Sequence, residues 1–225
     1  MGVSPRRAVR VAIVEDEPLY RDLLEVALEQ DPELEVVAAC GDAAEALERL
    51  PPLKPDVALL DLDLGEGPDG VQLGRELRRR LAGLGIILLS HHRDPRWLEG
   101  VPPGELAGWS YLLKRSLADA SALRRAVRGA AEGLVVLDPA LVAGFTPRRP
   151  SRLESLTPRQ REILALMAQG FHNGAIARRL RLTAKSVENQ IHALYQALGI
   201  KEEADWAHPR VQAVLIYLQE SRYAT

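Results

Sequence analysis

Five short apolar runs alternating with amphipathic stretches fill roughly the first 130 residues and constrain the fold more than any other feature. The runs are Val11-Ala12-Ile13-Val14, Leu34 to Ala39, Val57-Ala58-Leu59-Leu60, Ile86-Ile87-Leu88-Leu89 and Tyr111-Leu112-Leu113. They are nearly continuous in apolar character and bounded by Asp, Gly and Pro, as strands buried on both faces are. Between them stand helical patterns: Leu19, Leu23, Val26 and Ala27; Ala43, Ala46, Leu47 and Leu50; Val71, Leu73, Leu77 and Leu81; and, last, Leu117, Leu123, Ala126 and Val127. This alternation predicts an α/β domain, a doubly wound five-stranded parallel sheet with helices on both faces.

From Gly133 to Pro150 the pattern degrades. Leu134-Val135-Val136-Leu137 reads as a stray strand, and Pro139, Gly144, Pro147, Arg148, Arg149 and Pro150 read as a linker. After it strands vanish. Thr157-Pro158 is a helix start, with Thr as N-cap and Pro in the first turn. Helical segments are predicted at 158–169, 172–180, 184–198 and 209–220, the last with Val211, Val214, Leu215 and Leu218 on one face. The resulting plan is an α/β domain at 1–132, a linker at 133–152 and a small all-α domain at 153–225.

The 225-residue chain carries 29 basic and 31 acidic residues, a net charge of −2 that argues on its face against a nucleic-acid partner. The average conceals a partition. Residues 1–150 hold 19 basic and 24 acidic side chains, whereas 151–201 hold 8 and 3. An acidic domain is joined to a small basic one. No apolar stretch approaches the roughly 18 residues of a membrane span, and the N-terminal apolar run stops at Val14 before three acids, unlike a signal peptide. The single Cys40 lies in an apolar run and reads as a buried thiol in a reducing compartment. A cytoplasmic protein is the expectation.

In an open α/β sheet, ligands sit beyond the carboxyl ends of the strands. The first run ends in Glu15-Asp16, the third in Asp61, the fourth in Ser90 and the fifth in Lys114. One acidic residue at a strand end is ordinarily a turn former; four strands delivering carboxylates, a hydroxyl and an ammonium to one edge are a site. Clustered carboxylates resist ionisation unless a cation shares the site, and hard oxygen ligands without imidazoles or thiolates suit Mg²⁺. A lysine and a hydroxyl beside them suit a phosphoryl group. Asp61 is the expected phosphoacceptor, forming an acyl phosphate, with Glu15 and Asp16 holding the metal.

The segments Val-Glu15-Asp16-Glu-Pro, Leu-Leu-Asp61-Leu-Asp-Leu, Leu-Leu-Ser90 and Tyr111-Leu-Leu-Lys114 resemble the receiver domain of two-component response regulators, a flavodoxin-like fold. The resemblance implies that Asp61 takes a phosphoryl group from a sensor histidine kinase. It implies that Asp16, Asp61 and the backbone carbonyl of Asp63 coordinate Mg²⁺, that Ser90 and Lys114 bind phosphoryl oxygens, and that Tyr111 is the aromatic switch residue. The chain departs from the family at His91, where a small residue is usual, at Gly65 and Arg115, where prolines are usual, and at Pro102-Pro103, which predicts a short or broken fourth helix.

Helix 184–198 buries Val187, Ile191, Leu194 and Leu198 at 4-3-4 spacing and turns Lys185, Glu188, Asn189, His192 and Gln196 outward. These outward side chains can reach phosphates and base edges. With the preceding helix and Arg178, Arg179 and Arg181 near a tight turn, this reads as a helix-turn-helix, against the alternative of a helical docking module. Leu156-Thr-Pro-Arg-Gln-Arg-Glu-Ile-Leu164, Gly170-Phe-His-Asn173, Ile176-Ala and Lys185-Ser-Val-Glu-Asn-Gln190 resemble the LuxR-type module over about 153–219, and a receiver followed by it is similar to the NarL/FixJ class. The resemblance implies that double-stranded DNA meets Thr183, Lys185, Ser186 and Asn189, with Glu188 and His192 as base readers. Gln190, Ala175 and Ala197 replace a histidine, a glutamate and a lysine common in the module. Ala213, Ile216 and Tyr217 form a second apolar side on the last helix, either a face of a homodimer or covered core.

Two alternatives stand beside this reading. Asp61-Leu62-Asp63 resembles the nucleophile motif of haloacid-dehalogenase-type phosphatases, but follows the third strand rather than the first and lacks a downstream acidic pair after Lys114. The other is a DNA-binding regulator that switches without phosphorylation.

Overall fold

The computed structural model describes residues 7–65, 67–92, 101, 105–118, 120–147, 151–200 and 208–223. The chain divides into two compact units, Met1–Pro102 with Gly108–Gly133, and Pro103–Ala107 with Leu134–Thr225.

In the first unit the five apolar runs form β1 (Val9–Val14), β2 (Leu34–Cys40), β3 (Val57–Asp61), β4 (Gly85–Ser90) and β5 (Trp109–Leu113). They pair in parallel in the order β2-β1-β3-β4-β5. Every residue of β3, β4 and β5 is buried, which is why these strands read as unbroken apolar runs. The helices are α1 (Pro18–Glu29), α2 (Ala43–Leu53), α3 (Gly70–Arg80) and α4 (Ala120–Ala131). Asp42 and Asp69 start α2 and α3 by accepting the backbone N–H of Glu45 and Gln72, each at 2.8 Å. Pro51 lies in the last turns of α2 and cannot donate to Leu47; that carbonyl instead accepts from the Arg80 guanidinium at 3.1 Å. The fourth-helix segment with Pro102-Pro103 lies outside the described residues.

The helix α1 forms where its apolar spacing predicts. Leu19, Leu23 and Val26 face solvent, while Leu24 and Leu28 pack inward. The helix carries two apolar stripes, and only the second is in line with the sheet. Cys40 is fully buried, as expected, and burial pushes its thiol up to about 11.

The second unit holds α5 (Pro139–Val142), β6 (Phe145–Pro147), α6 (Pro158–Ala168), α7 (Asn173–Leu180), α8 (Ala184–Ala197), α9 (Pro209–Glu220) and β7 (Ser221–Tyr223). Thr157 and Gln160 form a reciprocal capping box at the start of α6. Leu134–Leu137 is not a strand of any sheet; Val135, Val136 and Leu137 are buried, and the Leu137 N–H donates to Ala168 at 2.8 Å. The following residues, read from composition as linker, contain α5 and the strand β6, which pairs antiparallel with β7. Ala213, Ile216 and Tyr217 are buried in the chain, and the Tyr217 hydroxyl donates to the Val142 carbonyl at 3.5 Å. Of the two readings of that side of α9, covered core is the observed one.

Candidate functional site

Strand register assembles the acidic site. Val14 is paired with Leu60, so Glu15 and Asp61 leave neighbouring strands side by side. Asp61 faces Leu89 and Ser90 faces Leu113, which sets Ser90 and Lys114 one step further along the same edge. The edge lies where strand order reverses about β1 and β3, the place at which such sheets bind ligands.

Lys114 sits at the centre. Its Nζ donates to Glu15 Oε1 at 2.8 Å and to Asp61 Oδ2 at 2.9 Å, and all three side chains are at most 4% exposed. Burial alone would lower the ammonium's pKa, but the two carboxylates outweigh it and raise the value. The Glu15 carboxyl is raised above its ordinary range, first by burial and then by the Asp61 charge, against the pull of Lys114. Glu15, Asp16 and Asp61 bring carboxylate oxygens within 4.8 Å of one another, with Asp16 open to solvent. Glu15 Oε2 is buried with no hydrogen-bond partner. A buried carboxylate oxygen left unsatisfied among three acids fits a hard divalent cation.

The remaining expected residues surround this centre. The Asp63 N–H donates to Asp61 Oδ1 at 3.3 Å, and Ser90 is buried with its Oγ accepting the His92 N–H at 3.1 Å. Tyr111 is fully buried, and its hydroxyl donates to the His92 carbonyl at 2.7 Å. Two residues escaped sequence reasoning. Gly70 lies so close under the site that a Cβ there would stand 2.3 Å from the Asp61 carbonyl oxygen, and its N–H donates to Leu62 at 3.1 Å. Tyr20, on the first turn of α1, lays its ring 4.8 Å from Lys114 Nζ. Only the glycine itself could have signalled the first, and nothing in the sequence signals the second.

In the second unit, α7 and α8 meet at a turn in which Arg181 adopts φ 54° and the Leu182 N–H donates to Ala177 at 2.8 Å. Thr183 Oγ1 caps α8 by accepting the Ser186 N–H at 3.1 Å. Val187, Ile191, Leu194 and Leu198 are buried, as their spacing predicts. Lys185, Glu188, Asn189 and His192 are exposed and Ser186 is half-buried. Lys185 and Glu188 form a loose surface pair at 3.6 Å, and His192 meets Gln196 at 3.0 Å. Arg178, Arg179 and Arg181 are exposed beside the turn. The result is a solvent-facing polar helix carried on an apolar stripe, with arginines alongside.

Comparison with known proteins agrees with both units. Residues 11–128 match the response regulator receiver domain, and residues 154–209 match the bacterial regulatory proteins of the luxR family. The chain is 34% identical over 206 residues to the DNA-binding transcriptional activator DevR/DosR of Mycobacterium tuberculosis, covering 88% of this chain and 92% of that protein. It is 32% identical over 209 residues to the transcriptional regulatory protein LiaR of Bacillus subtilis, covering 88% and 95%. The RcsB response regulator of Salmonella typhimurium shares the fold, with a TM-score of 0.52 at 23% identity over 95% of this chain and 99% of that one. These relatives are regulators, which sets aside the phosphatase alternative. Among the described residues no helix is long and apolar enough to cross a membrane. Carboxylates and a lysine at the strand ends of one unit, a helix-turn-helix in the other and matches to both along nearly the whole chain place this protein among the response regulators of the NarL/FixJ class, with a receiver domain and a LuxR-type regulatory domain.

Proposed function

We propose that this chain is a cytoplasmic, phosphorylation-controlled regulator of transcription in which Asp61 accepts a phosphoryl group from a sensor histidine kinase. The observation that carries this reading is the buried Lys114 ammonium bridging Glu15 and Asp61 beside an unsatisfied carboxylate oxygen. Glu15, Asp16, Asp61 and the Asp63 carbonyl would hold Mg²⁺, which when bound would neutralise carboxylate and phosphoryl charge. Asp61 attacks phosphorus, the phosphohistidine P–N bond breaks, and Lys114 and the Ser90 hydroxyl hold the transferred oxygens. Drawing Ser90 toward the phosphoryl group disturbs its bond to the His92 N–H, and Tyr111 holds the same residue by its carbonyl. The switch is thereby linked to the start of the loop after β4.

In the second unit α8 enters the major groove of double-stranded DNA. Thr183, Lys185, Ser186 and Asn189 meet the backbone and bases, and Glu188 and His192 read base edges. The active form is a homodimer on paired half-sites. Incubation with acetyl phosphate and Mg²⁺, followed by intact-mass measurement, tests the first half: the expected gain is one phosphoryl group, absent in Asp61→Asn. Absence of any gain in the parent chain refutes it.

A second reading has one observation in its favour. Tyr111 is fully buried and its hydroxyl donates to the His92 carbonyl, an anchored arrangement that suits a regulator of the same DNA-binding kind that switches without phosphorylation. Equal DNA affinity before and after the mass gain would favour it.

A further inference from the structure

The Lys114 ammonium has a third neighbour besides its two carboxylates. Tyr20 turns its ring toward Nζ, 4.8 Å from the centroid, and the same ring meets His91 edge to face, with centroids 5.9 Å apart and planes at 88°. The two rings come from different parts of the chain, one four residues after Asp16 and the other directly after Ser90. Burial grades outward: Glu15, Asp61 and Lys114 are sealed, Tyr20 is half-buried and His91 is exposed. The ring pair therefore stands on the solvent side of the buried ammonium that holds Asp61.

We propose that Tyr20 is a positioning and shielding residue of the phosphoryl site, which together with His91 limits water access to Asp61 and lengthens the life of its phosphorylated state. The proposal rests on the reading of Asp61 as phosphoacceptor. The ring face attracts the ammonium and keeps it between the two carboxylates. The pair covers the Lys114 side of the edge, while Asp16 on the same edge is open to solvent. Loss of the phosphoryl group requires a water oxygen to attack phosphorus opposite the Asp61 oxygen. The P–O bond to Asp61 then breaks, its electron pair returns to the carboxylate, and orthophosphate leaves with the proton from water. Excluding water from that approach slows this step without altering the nucleophile. A ring pair that merely anchors the first turn of α1 would leave the rate unchanged.

The test uses the full chain, phosphorylated with acetyl phosphate and Mg²⁺, freed of donor by gel filtration and followed by intact mass. Tyr20→Ala is expected to lose the phosphoryl group about three- to tenfold faster than the parent. His91→Ala should also lose it faster, and the double variant no faster than Tyr20→Ala, because the rings act as one. Tyr20→Phe, which keeps the ring, should restore most of the parent lifetime. Equal lifetimes in parent and Tyr20→Ala, or a Tyr20→Phe as short-lived as Tyr20→Ala, would overturn the proposal. Should Tyr20→Ala not fold, the exposed His91→Ala decides by the same comparison. A parent chain that gains no mass, or an Asp61→Asn chain that gains as much, overturns the phosphoacceptor reading and this proposal with it, an outcome distinct from equal lifetimes.

Discussion

Replacing Lys114 by Met keeps the aliphatic stem and removes the ammonium that bridges two buried carboxylates. The Lys114 and Glu15 side chains are at most 1% exposed, and each hydrogen bond is shorter than 3 Å. Removing one partner of a buried ion pair costs about 3–5 kcal/mol, mostly because the charge left behind has no compensation. At pH 7 the receiver unit should therefore melt about 10–20 °C lower. The deficit should depend on pH in a particular direction. The Glu15 carboxyl is raised by burial, so the folded chain holds that proton more tightly than the unfolded chain does. Stability assigned to Glu15 falls as pH rises from the ordinary carboxylate value through the raised one. Without Lys114 the value rises further, and protonation of Glu15 relieves the buried charge, so the deficit should shrink as pH drops from 7 to 5. Lys114 is itself raised, so its own contribution is intact below the ordinary lysine value and is lost only as pH rises through the higher folded value. Thermal and urea unfolding of both chains across this range measure the effect. A deficit under about 1 kcal/mol at neutral pH, or one that is the same at pH 5 and 7, would refute the charge argument.

Gly70→Ala should destabilise the receiver unit by about 2 kcal/mol or more, because the added Cβ would stand 2.3 Å from backbone that cannot yield; an unchanged urea midpoint would contradict this. Thr183→Ala should cost the second unit about 1 kcal/mol through loss of the α8 cap, read as a lower melting temperature. Lys185→Ala with Asn189→Ala should leave stability within about 0.5 kcal/mol, since both side chains are exposed, yet weaken DNA binding and reduce its log–log salt slope by about one.

The sheet was legible in the sequence because a strand covered on both faces must be apolar at every position, and β3, β4 and β5 obey that without exception. The strand-end residues were legible for the same reason, since each polar side chain interrupts such a run at its end. The orientation of α1 was not, because Leu19, Leu23 and Val26 have helical spacing as good as that of Leu24 and Leu28, and only the sheet chooses between stripes. The segment after Gly133 misled through its prolines and glycine. Asp138 followed by Pro139 is a helix start: the Asp138 side chain accepts the Ala140 N–H at 2.8 Å, while Leu141 and Val142 are buried. Tyr20 could not be found by any local pattern, because its partners Lys114 and His91 reach it only through the sheet.

If Asp61 is the phosphoacceptor proposed above, charge at the strand ends sets what must precede its phosphorylation. Glu15, Asp16 and Asp61 gather three carboxylates within 4.8 Å, and Lys114 offsets one, leaving an excess of about two negative charges. A phosphoryl group brings about two more, so transfer to Asp61 requires the excess to be cancelled beforehand. The buried Glu15 Oε2, without a hydrogen-bond partner, marks where cancellation is missing. Phosphoryl uptake from acetyl phosphate should therefore fall to near zero when Mg²⁺ is chelated. Glu15→Gln keeps the shape and a hydrogen-bond acceptor for Lys114 while removing one charge. Half-saturation of uptake should then need about tenfold more Mg²⁺, with the mass gain still lost in Asp61→Asn. The same variant should be at least as stable as the parent in the absence of metal, since it removes a buried carboxylate that burial already disfavours. If Glu15→Gln leaves the Mg²⁺ dependence unchanged, the orphaned oxygen takes no part in holding the cation, and Asp16 and Asp61 carry that task without it.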